Sequence, residues 1–386
     1  MKWFTCRVPM AGKRLLFVVN DPQSFLSHRL ALALEARQAG YEVRVATGPG
    51  DGAERIEAHG LTHDRLPLVP AGTHPLTECR ALWAIARLFW RLRPDLVHLI
   101  TIKPVLYGGL MARLLRVPGM VAGIAGLGYL FTRQRRGFTQ WLVKQLYRVA
   151  LRHPNSAVML ENAADGEVLQ AMGALRPGQG VVVPGSGVAL DEFVATPLPD
   201  GVPVVLLPAR MLWDKGVGEF VEAARQLRNR GVQARFVLVG DHGSQNPTAI
   251  PRETLEQWVQ TGIVEWWGFQ SDMPSVLKAA HVVVLPSYRE GLSRALLEGL
   301  ATGRPVITTD APGCREVVDE GWNGLLVAPG EVDGLAIAMG ALINDPARCA
   351  LMGQRGRAKA EAEFGVARVV DAQLRVYRAL IAGTTP

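Results

Sequence analysis

The sequence predicts an α/β protein with two doubly wound domains, each built on a parallel sheet. Short apolar runs of strand length alternate with helical patterns along most of the chain, and this order is typical of parallel sheets covered on both faces. The chain has 386 residues, and single cores stop growing at roughly 250–300 residues. The alternation also breaks once, at 188–202, and restarts at 203. We therefore expect two domains.

The first domain is predicted to span 1–190. An apolar run at 13–20 predicts its first strand, and a helical pattern at 24–38 ends before Gly40, the residue type favoured after a helix. The same alternation continues through the domain. We predict further strands at 41–46, 95–100, 120–124, 157–160 and 181–183, and helices at 53–58, 77–92, 105–115 and 138–151.

The second domain is predicted to span 203–365, after a linker at 191–202 that contains Pro197, Pro199 and Gly201. Its strands are expected at 204–207, 234–239, 263–266, 282–285, 306–308 and 325–327. A helical region follows at 331–363. Residues 366–386 are predicted to form a C-terminal helix, and one alternative is that this helix crosses back to the first domain. Two such domains would face each other across a cleft at the carboxyl ends of their strands, where α/β sheets bind ligands.

Composition excludes several classes of protein. The chain is 48% apolar and 20% charged, which is typical of a folded globular protein. Its four cysteines are scattered without a Cys-x-x-Cys pair, which predicts a reducing compartment and no metal site. We find neither an apolar signal region near the N-terminus nor a long uncharged apolar run, so we expect a chain that is neither secreted nor membrane-spanning.

Charge is distributed unevenly. Up to Leu190 the chain has 23 Lys and Arg against 12 Asp and Glu, and beyond it 19 against 23, which together give the net charge of +7. An excess of +11 in the first half predicts an anionic partner there, and nucleic acid and membrane are the two candidates.

The stretch 285–299 is the strongest functional signal. Pro286 cannot donate to a sheet ladder and should end a strand, and Ser293 is a candidate N-cap for the helix that follows. Glu290 then lies in the turn and Glu298 in the helix. A helix amino end preceded by Gly291 suits a diphosphate, and two carboxylates beside it suit sugar hydroxyls. The alternative is a pair of ordinary solvated charges.

A second candidate follows the first strand of the second domain. Arg210 and Lys215 lie between that strand and its helix, at the carboxyl edge of the predicted sheet. An arginine can bind phosphate oxygens through its fork, and a lysine adds a compact charge. The alternative is two unrelated surface cations.

These two segments resemble the retaining nucleotide-sugar glycosyltransferases of family 4, which have the GT-B fold of two Rossmann-like domains. The likeness rests on Glu290 and Glu298, separated by seven residues, and on Arg210 with the Lys215–Gly216 pair. It implies that Arg210 and Lys215 hold the donor diphosphate, that Glu290 orients the donor sugar and that Glu298 binds the ribose. The implied catalytic residues are Arg210, Lys215 and Glu290, and the implied donor-binding residues are Arg210, Lys215, Gly291, Leu292, Ser293, Glu298 and Phe269.

The first domain departs from the pattern of many members of the family. Its first strand-to-helix turn, 21–29, lacks a glycine-rich stretch and resembles the branch that extends lipid-linked oligosaccharides and polysaccharides. In that comparison His28 and Arg29 lie on the acceptor side. The alternative for His28 is a cap of its own helix.

Two further strand ends are acceptor-side candidates. Gly126 and Gly128 suit a backbone that approaches sugar closely. Many relatives have a histidine before the corresponding glycine, but this sequence has none. Whether any histidine takes part in catalysis is therefore left open. His98 and Lys103 flank another strand end. For His98 a buried, hydrogen-bonded histidine is an equal alternative.

The segment 129–152 combines six cations with aromatic and aliphatic residues and has no acid. Such a pattern predicts an interfacial helix on anionic lipid, and the alternative is a helix that packs on the first sheet. Nucleic acid is not expected because no recognised binding module is present. The cations are Arg133, Arg135, Arg136, Lys144, Arg148 and Arg152.

Together these features predict a retaining glycosyltransferase that moves a hexosyl or N-acetylhexosaminyl group in cell-surface polysaccharide or glycan synthesis. The expected donor is a UDP-sugar, and the expected acceptor is a polyprenyl-diphosphate-linked saccharide at the inner face of the cytoplasmic membrane. No metal or other cofactor is expected. The alternatives are a UDP-sugar epimerase of similar two-domain shape and a non-catalytic sugar-nucleotide-binding subunit.

Overall fold

The structure is a computed structural model that describes residues 12–69, 74–126, 138–243 and 246–384. Its contacts divide the chain into two compact units. The first contains Met1–Ser186 and Val369–Pro386, and the second contains Gly187–Arg368. Residues 191–202, predicted as a linker, belong to the second unit in this division, and most of the C-terminal helix belongs to the first.

The first unit has a parallel sheet. Its strands are β1 (Arg14–Val19), β2 (Glu42–Thr47), β3 (Thr62–Arg65), β4 (Leu96–Ile100), β5 (Gly119–Ile124), β6 (Ser156–Leu160) and β7 (Gly180–Val182). They are ordered β3-β2-β1-β4-β5-β6-β7. In the register of the central strands, Val18 lies between Ala46 and Leu99.

Helices connect these strands. They are α1 (Pro22–His28), α2 (Leu30–Gln38), α3 (Ala53–Ala58), α4 (Pro75–Leu92), α5 (Gly109–Leu114), α6 (Phe138–Ala150) and α7 (Ala163–Ala171), with a π-helical turn at Pro104–Gly108. Side chains of α4, α5, α6 and α7 share one buried apolar cluster with β1, β4, β5 and β6. These four helices therefore cover the same face of the sheet.

The structure corrects several predicted elements of the first unit. The single helix predicted at 24–38 is two helices, because the backbone breaks at Arg29, and Asp21 caps the first by accepting a hydrogen bond from the Ser24 N–H at 2.8 Å. The predicted helix at 105–115 begins as a π-helical turn. Strand β3 was missed because its sequence, Thr-His-Asp-Arg, has no apolar alternation.

The second unit has its own parallel sheet. Its strands are β8 (Val204–Pro208), β9 (Arg235–Val239), β10 (Glu265–Trp266), β11 (Val282–Leu285), β12 (Val306–Thr309) and β13 (Gly324–Val327), ordered β10-β9-β8-β11-β12-β13. Its helices are α8 (Val217–Asn229), α9 (Arg252–Gln260), α10 (Met273–Lys278), α11 (Arg294–Ala301), α12 (Val332–Ile343) and α13 (Pro346–Lys359), and a π-helical turn at Ala360–Phe364 precedes α14 (Val366–Ala382). Strand order reverses between β8 and β11, as in a doubly wound sheet.

The helical region predicted at 331–363 is also interrupted. Its first part ends at Ile343 with Asn344 as the C-cap. Asp345 then caps α13 by accepting a hydrogen bond from the Arg348 N–H at 2.9 Å, with Pro346 at the first helical position. Among the described residues no single helix is long and apolar enough to cross a membrane. The α12 helix and Pro346–Phe364 meet that criterion only together, with a bend of 99°, and Leu335 and Met339 of α12 lie in the core of the second unit.

A buried arginine fixes the start of the second unit. Arg304 is fully buried and donates hydrogen bonds to the Thr196 carbonyl at 2.6 Å, to the Thr196 hydroxyl at 2.7 Å and to the Pro197 carbonyl at 3.1 Å. It also donates to the Leu277 and Lys278 carbonyls. The segment around Pro197 is thus attached to the second unit through one guanidinium.

Replacing Arg304 with Ala is expected to lower the free energy of unfolding by on the order of 3 kcal/mol, because several buried carbonyls would lose their donors. Urea unfolding followed by circular dichroism measures this. Arg304→Lys keeps the charge but supplies fewer donors, so it should restore only part of the loss. An equal effect from Arg230→Ala, at an exposed position, would contradict the interpretation.

Candidate functional site

Five loops lie along one edge of the second sheet, because parallel strands all end at the same edge. They follow β8, β9, β10, β11 and β12, at 209–216, 240–243, 267–270, 286–293 and 310–314. The predicted donor-binding residues of the second domain lie in these loops or in the helix that follows the fourth.

The loops after β8 and β11 are held in direct contact. Gly216 has φ 70°, and a Cβ at this position would lie 2.1 Å from the Pro286 carbonyl oxygen. The Asp214 carbonyl accepts hydrogen bonds from the Ser287 hydroxyl at 3.1 Å and from the Tyr288 N–H at 3.0 Å. Only glycine permits this approach, and the approach brings the two predicted motifs together.

The contact places Lys215 beside Glu290. The Lys215 Nζ lies 2.5 Å from Glu290 Oε1, and both side chains are mostly buried. The sequence analysis assigned Lys215 to the diphosphate of the donor and Glu290 to its sugar, which are adjacent parts of one molecule. The structure shows that the two side chains are neighbours.

The Cys314 thiol lies close to this ion pair. Burial raises the pKa of Cys314 to about 12, and the charge of Glu290 acts in the same direction. The thiol therefore stays protonated at neutral pH and is not a nucleophile here.

The loop after β12 holds the turn that carries Glu290. The Pro312 carbonyl accepts a hydrogen bond from the Glu290 N–H at 2.9 Å, and the Gly313 carbonyl accepts one from the Ser293 N–H at 3.0 Å. Gly313 has φ 81°, and a Cβ there would lie 2.3 Å from the Glu290 carbonyl oxygen. The turn is therefore supported from both sides, by β8 and by β12.

The helix after the turn starts where the sequence predicts. The Ser293 hydroxyl accepts a hydrogen bond from the Leu296 N–H at 3.4 Å, which confirms Ser293 as the N-cap of α11. The positive end of the helix dipole therefore lies at Ser293, next to the half-buried Gly291 and Leu292.

Glu298 occupies a different environment from Glu290. It is buried in α11 and accepts a hydrogen bond from Arg294 Nε at 2.7 Å. Burial raises the pKa of Glu298, Arg294 opposes that shift, and the charge of Glu192 adds to it. A buried carboxylate held by one arginine is a rigid acceptor for a ligand hydroxyl.

Arg210 and Phe269 lie at the exposed rim of the same edge. The Arg210 side chain is exposed, while its neighbour Met211 donates its N–H to the Asp241 carbonyl at 2.9 Å. Phe269 is exposed in the loop after β10, and that loop is joined to the loop after β9 by the Gly240 N–H, which donates to the Gly268 carbonyl at 2.8 Å. The described contacts thus position the backbone at Arg210 and leave its side chain open to a ligand.

The corresponding edge of the first unit also collects polar groups. Arg29 is buried at the break between α1 and α2, and its Nη2 lies 3.6 Å from Glu161 Oε1, just past β6. Arg29 Nε, Asn20 Oδ1 and Thr101 Oγ1 are buried and have no hydrogen-bond partner among the described protein atoms. Thr101 also has φ 74°, which is strained for a β-branched residue.

His98 is fully buried within this unit. Its Nδ1 lies 2.5 Å from the Tyr377 hydroxyl of α14, and burial, together with the charge of Arg29, holds the pKa of His98 well below its usual value. His98 is therefore neutral. Its environment matches the predicted alternative of a buried histidine, although Nε2 has no described partner.

The remaining acceptor-side candidates lie on different elements of the first unit. His28 is exposed in the last turn of α1, whose N-cap is Asp21. Lys103 Nζ lies 2.7 Å from Glu78 Oε1. Gly126 follows β5 with φ 88°. Gly128, Arg133, Arg135 and Arg136 lie outside the described residues.

Two family models match the chain. One, described as glycosyl transferase 4-like, matches residues 14–162, and the other, described as glycosyl transferases group 1, matches residues 202–345. The chain belongs to glycosyltransferase family 4. The two models cover the two units in turn, and the second contains Arg210, Lys215, Glu290 and Glu298.

Named relatives of this glycosyltransferase cover most of its length. It is 25% identical over 347 residues to the N,N'-diacetylbacillosaminyl-diphospho-undecaprenol alpha-1,3-N-acetylgalactosaminyltransferase of Campylobacter jejuni, across 86% of this chain and 90% of that one. It is also 25% identical to the UDP-Gal:alpha-D-GlcNAc-diphosphoundecaprenol alpha-1,3-galactosyltransferase of Escherichia coli, across 77% and 78% of the two chains.

A solved structure shows the fold. HepE of Anabaena in complex with UDP matches 95% of this chain and 100% of its own, with a TM-score of 0.75 at 20% identity. The predicted GT-B fold of the glycosyltransferase is thereby confirmed.

Some residues at the two sheet edges of the glycosyltransferase were not singled out from the sequence. Pro312 and Gly313 lie shortly after the strand predicted at 306–308. Their position near the carboxyl end of a parallel strand is the sequence feature from which they could have been identified. Asn20 likewise ends the first strand. Tyr377 carries no local signal, because only the tertiary fold brings α14 to β4.

Replacing Gly216 with Ala in the glycosyltransferase is expected to lower the free energy of unfolding by about 3 kcal/mol, because the new Cβ overlaps the Pro286 carbonyl in a strained backbone conformation. Urea unfolding measures this effect. Gly262 is the matched control, since it has the same φ of 70° with open space around it. Gly262→Ala should cost only about 1 kcal/mol. Equal effects from the two variants would show that backbone strain alone is responsible.

Proposed function

We propose that this glycosyltransferase transfers a hexosyl or N-acetylhexosaminyl group from a UDP-sugar, with retention of configuration, to a polyprenyl-diphosphate-linked saccharide in polysaccharide or glycan synthesis. The observation that carries the proposal is the Lys215–Glu290 contact of 2.5 Å, at the amino end of α11. It supports a donor whose diphosphate and sugar meet at this point.

The positive groups of the site suit a departing diphosphate. Cleavage of the bond between the sugar and the diphosphate leaves additional negative charge on the phosphate oxygens, and groups that oppose this charge lower the barrier. Lys215, Arg210 and the positive end of the α11 dipole supply three such groups. Because two of them are fixed by the loop contacts at Gly216 and by the Ser293 cap, little reorganisation is needed during transfer.

The two carboxylates suit different parts of the donor. Glu290 lies next to Lys215, so a sugar hydroxyl that binds Glu290 lies next to a phosphate that binds Lys215. Glu298 is buried further along α11 and suits the ribose. This arrangement would also require the donor to share or displace the Lys215–Glu290 pair when it binds.

The acceptor class is supported by relatives and by chemistry in the first unit. Both named relatives act on sugars linked to diphosphoundecaprenol. At the sheet edge of the first unit, Arg29 offers a buried cation, and Asn20 Oδ1 and Thr101 Oγ1, which have no hydrogen-bond partner in the described part of the chain, offer places for hydrogen bonds. A saccharide diphosphate would satisfy both kinds of group. Its lipid requires that the enzyme act at a membrane surface, which we propose is the inner face of the cytoplasmic membrane.

We further propose that transfer needs no metal ion. The protein cations named above can balance the diphosphate charge in place of a divalent ion. Within the described ranges, no three His, Cys, Asp or Glu side chains lie together as metal ligands.

The alternatives predict different products. An epimerase would release an altered free sugar nucleotide, and a non-catalytic subunit would release nothing. The family of the chain and its named relatives favour transfer.

Incubating the purified protein with a panel of UDP-sugars and undecaprenyl-diphosphate-linked saccharides is expected to yield a lengthened glycolipid, detected by mass spectrometry. Nuclear magnetic resonance of the new linkage should show the anomeric configuration of the donor. A second incubation with EDTA should give the same yield. An epimerised free UDP-sugar with an unchanged glycolipid would overturn the proposal, and activity lost to EDTA and restored by magnesium would overturn its metal-free form.

Substitutions in the site are expected to separate the roles of its four charged side chains. Arg210→Ala and Lys215→Ala should each weaken UDP binding by about 10- to 150-fold, because a hydrogen bond to a charged group contributes roughly 1.5–3 kcal/mol. Glu298→Ala should also weaken UDP binding, whereas Glu290→Ala should reduce kcat more than UDP affinity. Calorimetry with UDP and the glycolipid assay measure these effects.

Arg252→Ala is the control, since Arg252 is exposed in α9 and paired with Glu256 four residues along the same helix. It should leave both quantities unchanged. If Glu290→Ala weakened UDP binding and Glu298→Ala mainly reduced kcat, the roles assigned to the two residues would be exchanged. Unchanged UDP affinity in both Arg210→Ala and Lys215→Ala would reject the phosphate assignment.

A further inference from the structure

Helix α4 has apolar residues on two opposite faces. One face, which includes Ala81, Ile85, Leu88 and Phe89, is buried in the core of the first unit. The outward face of such a helix is ordinarily polar, because one apolar stripe is enough to bury it against a core. Here the outward face carries large apolar side chains as well as cations.

Three large apolar side chains lie on this outward face. Leu76, Trp83 and Trp90 are 71%, 64% and 69% exposed. They are spaced seven residues apart, and since an α-helix drifts only about 20° per seven residues, they form one stripe along the helix. Exposed tryptophans in a stripe are uncommon on a soluble surface and mark an interaction site.

Cations border the stripe. Arg80 and Arg87 are exposed on the same side, and the Arg87 guanidinium lies 5.4 Å from the centre of the Trp83 ring. The helix contains one acid, Glu78, and it pairs with Lys103. Arg91 is already paired with Asp64 at 2.6 Å. We call Leu76, Arg80, Trp83, Arg87 and Trp90 the α4 stripe.

The neighbouring helix continues this composition. Helix α5, which packs against α4, ends at the exposed Leu114, with Arg113 and Arg116 beside it in sequence. The first half of the chain also carries an excess of 11 positive charges. The surface that surrounds the stripe is therefore suited to an anionic partner.

We propose that the α4 stripe docks the first unit on an anionic lipid bilayer, with the two indole rings at the headgroup level and Arg80 and Arg87 against lipid phosphates. Tryptophan and arginine are the side chains that favour this interface, since each has an apolar part and a polar or charged end. The proposal rests on the proposed function, which places the acceptor in a membrane, and it identifies the surface that reaches that membrane.

Other occupants fit the stripe less well. A second copy of the chain, packed by two-fold symmetry, would set Arg80 and Arg87 against the same cations of its partner, which is unfavourable. The lipid-binding segment predicted at 129–152 is a different part of the sequence, and the structure describes it only from residue 138 onward. Among the cations of this segment, Arg148 donates hydrogen bonds to the Met172 carbonyl and to Gln145 Oε1.

Sedimentation with vesicles tests the proposal on the full chain. The vesicles contain equal parts of phosphatidylcholine and phosphatidylglycerol, with pure phosphatidylcholine for comparison. Wild-type protein should sediment with the anionic vesicles and be partly released by salt, because screening shortens the reach of its charges to about 8 Å at physiological ionic strength. Trp83→Ser/Trp90→Ser and Arg80→Gln/Arg87→Gln should each weaken the partition by on the order of tenfold.

The matched control lies in the second unit. There Arg355 lies 5.8 Å from the centre of the partly exposed Trp322 ring, which repeats the Arg87–Trp83 geometry outside the stripe. Trp322→Ser/Arg355→Gln should bind vesicles as the wild type does. If this control loses binding as strongly as the stripe variants, the stripe is not the docking surface.

Cys79 provides an independent measurement. It is exposed on α4, four residues before Trp83, whereas Cys314 and Cys349 are buried. In a Cys6→Ser background, an environment-sensitive fluorophore on Cys79 should shift to shorter wavelength with anionic vesicles. No shift in a protein that still sediments with them would show that another surface binds lipid.

Two measurements separate failure of this inference from failure of the proposed function. UDP affinity and transfer to a short-chain, water-soluble lipid diphosphate saccharide should be unchanged in the stripe variants, while transfer to the vesicle-embedded acceptor falls. Normal vesicle binding by both stripe variants would overturn the docking surface and leave the enzyme activity standing. Sedimentation velocity tests the alternative occupant. If the wild type is a dimer and the stripe variants are monomers, the stripe binds a second copy of the chain instead of a bilayer.

Discussion

The close approach of Gly216 to the Pro286 carbonyl is the contact on which the proposed donor site depends. It joins the loop after β8 to the loop after β11, which are far apart in sequence, and the loop after β12 closes on the same turn through Gly313. Each approach leaves no room for a Cβ. The site is therefore held mainly by backbone packing, and its charged side chains are placed by loops that have little freedom to move.

That packing sets the electrostatics. Lys215 and Glu290 are brought together in mostly buried surroundings, where charges interact more strongly than in water. The pair neutralises both residues and holds both side chains in place, where the proposed donor would carry its phosphate and its sugar side by side. Glu298, buried with Arg294, is a separate carboxylate with its own partner. The two carboxylates of the motif thus have different environments although they share one loop and helix.

The two units divide the chemistry. The second unit has the ion pair, the capped helix and the tightly packed loops of the proposed donor site. The first unit has an excess of positive charge, buried polar atoms without described partners at its sheet edge, and a helix with tryptophans on its outer face. These features suit the proposed acceptor, which combines a charged headgroup with a lipid.

Much of this protein is determined locally in its sequence. The alternation of apolar runs and helical patterns located most strands to within about two residues, and Ser293, Pro286 and Gly40 act through backbone geometry that is the same in any fold. Local patterns failed where structure is made by distant residues. The polar edge strand β3 is held by its pairing with β2. The helix break at Arg29 is accompanied by a contact between Arg29 and Glu161. Tyr377 contacts His98, which is 279 positions away in the sequence. The Lys215–Glu290 contact is of the same kind. A sequence shows which residues can bind phosphate or sugar, but their distance is decided by the packing of loops from separate strands, because that packing depends on the whole sheet.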